Sequence, residues 1–542
     1  MRKFCSLALG VLLLSSVPLA RAQSTNEAVL AGTISDPTGA VIPGATLTLT
    51  DIGTNIARTT QTDGQGGYSF RALPPAAYKM LIEAKGFGTL EQDNIVLTVN
   101  QKATLNTTLH PAAESTNITV HAIPVLLDSE DATLGTDVSS KYLVQIPLVN
   151  RDSFGLTFLA GGVTETTGSG TQDNYPSGTN FVSNGQRNAT ADIRLDGDLL
   201  SAPEQGEGGT TNVYYQPSVE ALQEFKVENN SFSAEYGNNG GTVVNTVMKS
   251  GTNAFHGSAW WYDQRATFDA RDFFNTGAVP GHQEDQVGFT LGGPIRKDKT
   301  FFFGDLSIVR DREPVNIVAT VPTAAERSGD FSQTMAYDAN GNLVLNQIFD
   351  PFTTDANGNR QAYNGNLVPQ GEWDPVGQAI LNLYPKANTA GDPGIGTNNF
   401  RDVILAASNS QQFDVKIDQN FSERSKVSAR YSYQHNDGNT PGVFTDDIFN
   451  DGTAYKGAFY NDGLEYTFAP TPSTLWVSNF GIDRVSQPSF SNTPNPTSIG
   501  FPSYLDSANG IARMPSILPN DYGDYSRFTP LYSQCCVDTK FA

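Results

Sequence analysis

The sequence predicts a mostly-β chain in three successive parts: a small β-sandwich, an α+β domain with long loops, and an antiparallel sheet whose alternation suits a membrane barrel or a soluble sandwich. Three observations carry this. Glycine is abundant (51 residues) and aromatics reach 10%, while charged residues are only 17% of the 542. Disordered acidic tails are charge-rich, and helical bundles run on Ala, Glu, Lys and Leu, so neither profile fits. Short alternating apolar and polar runs, punctuated by Gly, Pro, Asn and Asp, recur along the chain, as half-buried strands require. Beyond the N-terminus no run of eighteen apolar residues offers a spanning helix, whereas barrel strands need only about 9–11 alternating residues. The length suits about three or four domains.

Residues 1–22 form a separate object. Arg2 and Lys3 precede the apolar stretch Leu7 to Leu14, and Ala20-Arg21-Ala22 stands before Gln23, the three-part pattern of a secretory signal peptide. Cleavage there removes three cations and Cys5, leaving the adjacent pair Cys535 and Cys536. Neighbouring cysteines satisfy disulfide geometry poorly. Export without a disulfide framework fits a bacterial envelope. With Lys+Arg at 34 and Asp+Glu at 56 the net charge is −22, so nucleic acid is excluded as a partner: a polyanion needs a basic face.

Residues 23–112 read as the sandwich. Thr46-Leu47-Thr48-Leu49-Thr50 alternates cleanly, and turn signals stand at Asp36-Pro37-Thr38-Gly39, Asp63-Gly64-Gln65-Gly66-Gly67 and Pro74-Pro75. About seven strands in this span match a small sandwich. The run Gly32 to Ala45, and later Thr62-Asp63-Gly64, Gly67-Tyr68-Ser69-Phe70, Leu73-Pro74-Pro75, Tyr78 and Gly86-Phe87, resembles the carboxypeptidase-regulatory-like domain, a transthyretin-like sandwich. Ala76-Ala77 stands where that pattern usually carries glycine. The resemblance is to the non-catalytic accessory module.

Residues 113–253 form the second part. Asn184-Gly185 and Asp196-Gly197 are tight-turn dipeptides in a stretch rich in Gly, Ser, Thr and Asn. Pro217 to Phe225 reads as one short helix with Val219, Leu222 and Phe225 on one side. Long irregular loops suggest a binding role or disorder.

Residues 254–542 change character. Gln286 to Leu291 alternates; Phe413, Val415 and Ile417 stand opposite Asp414, Lys416 and Asp418; Leu464, Tyr466 and Phe468 alternate with Glu465 and Thr467. Trp260-Trp261-Tyr262, Phe301-Phe302-Phe303, Tyr431, Tyr433 and Trp476 suit interfacial aromatic girdles. A soluble antiparallel sandwich alternates in the same way, so alternation alone does not separate the two. Between Arg312 and Ser410 strand pattern is sparse, as in a long extracellular loop. Asp338 to Asn342 and Asp355 to Asn359 lack the spacing and closing Glu of a calcium loop and read as surface turns.

A second resemblance covers nearly the whole chain after the leader. Asn150-Arg151-Asp152-Ser153-Phe154, Ser183-Asn184-Gly185-Gln186-Arg187-Asn188 with Leu195-Asp196-Gly197, Gln216 to Val227, Ser233 to Gly237, Lys249 to Asn253, Gly292 to Phe303, and Asn366-Leu367-Val368-Pro369 with Asp374-Pro375-Val376 stand in the order seen in Oar-like TonB-dependent receptors of Gram-negative outer membranes. The resemblance implies an outer-membrane receptor and transporter whose barrel is filled by a plug at 113–253, with Asn184, Gly185, Arg187, Asn188, Asp196 and Gly197 in the central plug motif. It implies TonB, with its inner-membrane energising partners, gripping an extended peptide near the plug's start. Such a peptide pairs edge-on with a partner strand, and Glu114-Ser115-Thr116-Asn117-Ile118-Thr119-Val120 is the candidate TonB box. Outer-membrane lipid is the other implied partner, and the ligand is an unidentified small molecule, oligosaccharide or peptide.

Catalytic patterns are missing from the sequence. His110, His121, His256, His282 and His435 stand in no metal-binding spacing, no G-x-S-x-G elbow appears, and Lys249-Ser250 lacks the glycine of a P-loop. No cofactor is implied and no enzyme is expected. The rival reading is an exported adhesin or scaffold built of β-domains. A 22-stranded plugged barrel needs several hundred residues. Residues 254–542 show about seven strands, with no closing strand in Ser533 to Ala542. An incomplete barrel, the product of truncation or a frameshift, is therefore expected.

Overall fold

The computed structural model describes residues 26–112, 118–120, 126, 133–146, 148, 151–165, 177–179, 181–187, 190–201, 211–233, 236–237, 240–270, 281–440, 453–471, 474–486, 489–491, 496–507 and 538–541. The proposed leader, both late cysteines, Glu114 to Asn117 and Asn188 lie outside them.

The first part contains β1 (Ala28–Ser35), β2 (Thr46–Asp51), β3 (Ala57–Gln61), β4 (Gly67–Leu73), β5 (Ala76–Glu83), β6 (Leu90–Leu97), β7 (Lys102–Thr104) and β8 (Thr107–Thr108). One sheet runs β4-β1-β7 with β8 also on β1, and the other runs β3-β2-β5-β6. Leu30, Leu47, Phe70, Met80 and Ile82 fill the space between them. In β2 Leu47 and Leu49 are buried and the intervening threonines are not, the period of two read from the sequence. At the first turn the Asp36 carboxylate accepts from the Thr38 and Ala40 amides (2.8 and 3.0 Å) and Gly39 takes φ +85°, which is the reason for an Asp and a Gly there. Beyond the sandwich, β9 (Ile118–Val120) joins the free edge of β6 in parallel, Leu90 opposite Ile118.

The middle unit is built on β10 (Leu134–Ser139), β14 (Asp192–Leu195), β15 (Asp198–Leu199), β17 (Leu222–Asn230) and β18 (Val243–Met248), in the order β10-β17-β18-β14-β15. Two small pairs flank it: β11 (Val163–Glu165) with β13 (Phe181–Ser183), and β12 (Ser177–Thr179) with β16 (Thr211–Val213). All six residues of β18 are buried. The short helix expected from Pro217 to Phe225 is corrected: a single 3-10 turn covers Val219–Ala221, capped by the Ser218 hydroxyl (3.1 Å), and Leu222 already begins β17. The apolar spacing Val219, Leu222, Phe225 fits a helix, but pairing of β17 with both β10 and β18 satisfies more backbone groups.

The third part is one antiparallel sheet of nine strands: β19 (His256–Arg265), β20 (Gln283–Arg296), β21 (Thr300–Ala319), β24 (Phe400–Ser422), β25 (Ser425–Thr440), β26 (Thr453–Thr471), β27 (Thr474–Ser486), β28 (Ser489–Ser491, on β26) and β29 (Asp538–Phe541, on β27). Among the described residues its edges do not meet. The burial pattern is the reverse of a soluble sandwich. Along β24, Phe413, Val415 and Ile417 are 36, 40 and 41% exposed, whereas Asp414, Lys416 and Asp418 are 1, 6 and 4% exposed. Val287, Phe289 and Leu291 of β20 and Leu464, Tyr466 and Phe468 of β26 are likewise exposed. Apolar side chains outward and charges inward is the arrangement that lipid outside and a polar lumen demand. On that outer face Phe413 lies 5.6 and 5.7 Å from the rings of Tyr431 and Tyr433.

Two further expectations change. β21 and β24 are 20 and 23 residues long and stay paired from Thr300 opposite Gln419 to Ala319 opposite Phe400, about twice what a bilayer needs. The region of sparse pattern is thus 320–399. Outside the membrane no lipid enforces alternation, and Pro314 masked the strand, yet its ladder partner Leu405 is in place. Asp538–Phe541 forms a strand opposite Ile482 to Val485 at the edge of the sheet, which four residues are too few to show by period; it does not close the sheet, so among the described residues the expected lack of a closing strand stands. Phe301 and Phe303 do not belong to a girdle: both are 1% exposed and point inward. The loop itself carries β22 (Met335–Tyr337), paired with β23 (Leu343–Leu345), and a helix Pro375–Leu383 capped by Asp374. Arg327 donates to the carbonyls of Leu381, Tyr384 and Pro385 (2.8, 2.8 and 2.7 Å). The Asp338 and Asp355 repeats are surface turns in which the carboxylate accepts from amides two and four residues on.

Candidate functional site

The middle unit packs on the inward face of the barrel sheet, and the contact is mainly ionic. It starts from a two-residue hairpin. Between β14 and β15 the chain turns through Asp196 (φ +49°) and Gly197 (φ +86°), the left-handed pair that Asp-Gly supplies most readily. The turn thrusts out Asp196 and Asp198. The Asp196 carboxylate accepts from Lys416 Nζ (3.0 Å) and from the Met248 amide (3.1 Å) and lies 3.4 Å from Arg430 Nε. Arg430 Nη2 donates to Asp198 (3.3 Å), and its Nη1 to Asn461 (2.5 Å), which in turn donates to Asp483. Lys416 also donates to the Met248 carbonyl (3.2 Å). Room for the hairpin comes from two glycines of the wall: a Cβ at Gly463 would stand 2.3 Å from Asp198 Oδ2, and one at Gly481 would stand 3.2 Å from Asp198 Oδ1. Burial pushes the Asp198 carboxyl up to about 7, with Arg430 pulling it down.

Further contacts repeat the theme. The Tyr215 hydroxyl donates to both Asp414 oxygens (2.7 Å each), and the Ser218 hydroxyl to Asp305 (3.0 Å). Arg151 is paired with Glu220 and lies 3.9 Å over the Tyr262 ring of β19. Among the described residues, the buried apolar contact comes from Phe303, which joins the middle unit's core, and from Tyr214 against Phe459 and Val485.

The sandwich sits at the short-turn end. Asn253 donates to Asp298 in the β20–β21 turn (2.8 Å) and to Thr54 O (2.7 Å). It also grips the middle unit: the Val99 amide donates to Glu224 (3.0 Å), and Lys226 Nζ donates to the Val99 carbonyl (3.3 Å). Burial pushes Glu224 up to about 7, the Val99 amide opposing it. Among the described residues no three His, Cys, Asp or Glu side chains converge on a metal position.

Residues 247–534 match the model of the outer membrane beta barrel domain. The chain belongs to that family. Its place is the outer membrane, and the exposed apolar face of the sheet is the surface that meets lipid. Residues 29–110 match the carboxypeptidase regulatory-like domain. The TonB-dependent transporter Oar of Myxococcus xanthus is 24% identical over 370 residues, 62% of this chain and 34% of the relative, so the chain spans about a third of that protein's length. Among solved structures, the outer membrane transporter YddB of Escherichia coli overlaps 66% of this chain and 39% of its own at 10% identity and a TM-score of 0.41. Catechol 1,2-dioxygenase of Acinetobacter radioresistens overlaps 18% of this chain and 58% of its own at 14% identity and a TM-score of 0.15.

Within this outer-membrane barrel chain the motif residues fall in two places. Asp196 and Gly197 form the ionic contact, near Met248, which faces Leu222 at the start of β17. Asn184 (φ +50°) and Gly185 (φ +73°) form an exposed turn whose Asn184 Nδ2 donates to Asn229 O (2.7 Å) at the other end of β17. Arg187 is exposed beside that turn, and its carbonyl accepts from Thr190 (2.8 Å). Of the candidate TonB box, Ile118, Thr119 and Val120 are the residues of β9. Asp198, Arg430, Tyr215 and Asp414 carry the contact without having been read as site residues from the sequence. The available signal was that Lys416 shares the polar face of its strand with Asp414 and Asp418, and Arg430 shares that of its strand with Lys426.

Proposed function

We propose that the chain is part of a TonB-dependent outer-membrane transporter in which the middle unit, within 113–253, is the plug and the Asp196-Gly197 hairpin is its latch on the barrel wall. The observation that carries this reading is the pair of carboxylates on one tight turn held by Lys416 and Arg430 of adjacent barrel strands. A plug must be firm at rest and removable under load, and a hydrated lumen refills the space around charged groups once they part. The outer membrane has no ATP, so the load comes from TonB through residues 114–120. In support, Ile118 to Val120 is already extended and paired along a strand edge, the form in which a peptide is captured by strand addition. The relative Oar carries TonB dependence and transport in its name. The cargo is a small molecule, an oligosaccharide or a peptide.

The test is direct binding of a purified TonB C-terminal domain to the full chain in detergent. One-to-one binding, displaced by a synthetic peptide of residues 114–120 and lost in Ile118→Pro, is expected. Binding that survives both the peptide and the proline removes the assignment. In cells, the chain is expected in the outer-membrane fraction, extracted by detergent; release by salt or chelator alone would favour an adhesin or scaffold.

A further inference from the structure

Between the sandwich, the middle unit and the barrel wall lies a cavity of about 360 Å³, within the size range of small-ligand sites. Its walls carry six carboxylates, those of Glu27, Asp51, Asp196, Asp198, Asp418 and Glu465, against four cations. All four cations already have partners. Lys416 and Arg430 hold Asp196 and Asp198, Lys426 lies 3.6 Å from Asp418, and Arg58 donates to the Arg71 carbonyl (2.7 Å). Asp51 accepts from the amides of Gly53 and Thr54 (2.8 and 3.2 Å), and Glu465 accepts from Asn26 (3.2 Å) and Thr467 (3.3 Å). Among the described residues Glu27 has no hydrogen-bonding partner and meets Lys426 only as a neighbouring charge. It is 6% exposed, lines the cavity, and neither carboxylate oxygen receives a hydrogen bond. The link from Asn26 to Glu465 puts the two glutamates on one side of the space. Leu49, Ile56, Leu73 and Tyr78 of the sandwich, with Phe301 of the barrel, supply apolar wall.

A buried carboxylate without a donor is costly. A net excess of acid, apolar walls and a small volume specify what would relieve it: a positively charged, hydrogen-bond-donating head on a short apolar body. We infer that this junction is a binding site for a small organic ammonium ion, with Glu27 as the anchor and Glu465 as the second acceptor. A metal ion does not fit, since among the described residues no three ligating side chains converge. The site goes beyond the transport reading and does not depend on it.

The probe is 2-phenylethylammonium, titrated calorimetrically into the full chain in detergent without TonB, so the result is separate from any failure of uptake. Expected are one-to-one binding, at least tenfold weaker in Glu27→Gln and in Glu465→Gln, and lost in Glu27→Lys, whose own ammonium takes the place. Unchanged heat-shifted gel mobility of the variants shows that they fold. 2-Phenylethanol and phenylacetate are expected not to bind. Equal binding of the alcohol would reduce the site to an apolar hole, preferential binding of phenylacetate would make it an anion site, and no heat from the amine would remove it. Each of these overturns the inference, as does full affinity in both glutamine variants.

Discussion

Replacing Asp196 by asparagine keeps the shape of the hairpin and one acceptor but removes the charge facing Lys416 and Arg430. The two cations are 8 and 2% exposed in their side chains and Asp196 is 14% exposed, so water does little to compensate. Breaking a buried pair by removing one partner costs about 3–5 kcal/mol. Here Arg430 retains Asp198 and Asn461, and Lys416 retains the Met248 carbonyl. The cost therefore falls at the lower edge, about 3 kcal/mol, or roughly a hundredfold in the equilibrium between seated and released hairpin. Hydrogen exchange reads that equilibrium segment by segment. Amides of Asp192–Leu195 and Val243–Met248 are expected to lose about two orders of magnitude of protection in Asp196→Asn, while those of β24 and β25 keep theirs. Adding Lys416→Met to the same chain is expected to recover part of the loss, because the unpaired ammonium is then gone. Protection unchanged within about threefold, or an equal loss throughout the barrel, would refute the latch.

Three other outcomes follow from the same geometry. Val415→Arg places a cation on the lipid face at a cost of about 2–4 kcal/mol near the bilayer midplane, and the heat-shifted folded fraction in lipid vesicles is expected to fall; an unchanged fraction would place that face elsewhere. Gly463→Ala sets a methyl 2.3 Å from Asp198 Oδ2, so the hairpin must lift, and protection of Asp198–Leu199 is expected to drop with β26 still paired. For Glu224, burial raises the folded value from 4.5 to about 7, so the folded state binds the extra proton and its stability falls as pH rises between those values. Glu224→Gln, a stand-in for the protonated form, should match the parent below pH 4.5. Above pH 7 it should exceed the parent by about 3 kcal/mol in urea melts, and a difference independent of pH would contradict the assignment.

The sheet that meets the membrane was legible because its chemistry is local: Phe413, Val415 and Ile417 against Asp414, Lys416 and Asp418 declare two faces within six residues. Which face turns inward was not legible, since a sandwich and a barrel share the period and differ only in where the solvent is. The hairpin at Asp196-Gly197 was readable as a turn because its two positive φ values need those residues. Its partners were not: Lys416 lies 220 residues away in sequence, and one lysine among inward polar side chains carries no mark of what it will meet. Phe301 and Phe303 misled for a related reason. An aromatic at a strand end satisfies an interfacial girdle and a packed core equally well until the register fixes the side on which it falls. Likewise β21 continues to Ala319 because Phe400 and its neighbours pair with it, a fact of tertiary structure that Pro314 concealed.

The character of the contact bears on how it opens. Had the middle unit been held by a broad apolar patch, each square ångström uncovered would cost about 25 cal/mol, with nothing in a water-lined lumen to offset it. The described contact instead rests on Asp196, Asp198, Tyr215, Ser218 and Arg151, with Phe303 and the Tyr214–Phe459–Val485 group as its apolar share. Ion pairs and hydrogen bonds are short-ranged in water, and once parted by a few ångströms their groups are rehydrated, so resistance to displacement is steep at first and small afterwards. A hairpin on which two carboxylates engage two cations concentrates that resistance at one point of the sheet. It lies next to β18, whose six residues are all buried in the middle unit. On the proposed reading, a force applied on the sandwich side would reach it through Glu224 and Lys226 on strand β17, which pairs with β18. On that reading, latch and handle thus lie in one sheet with only β18 between them.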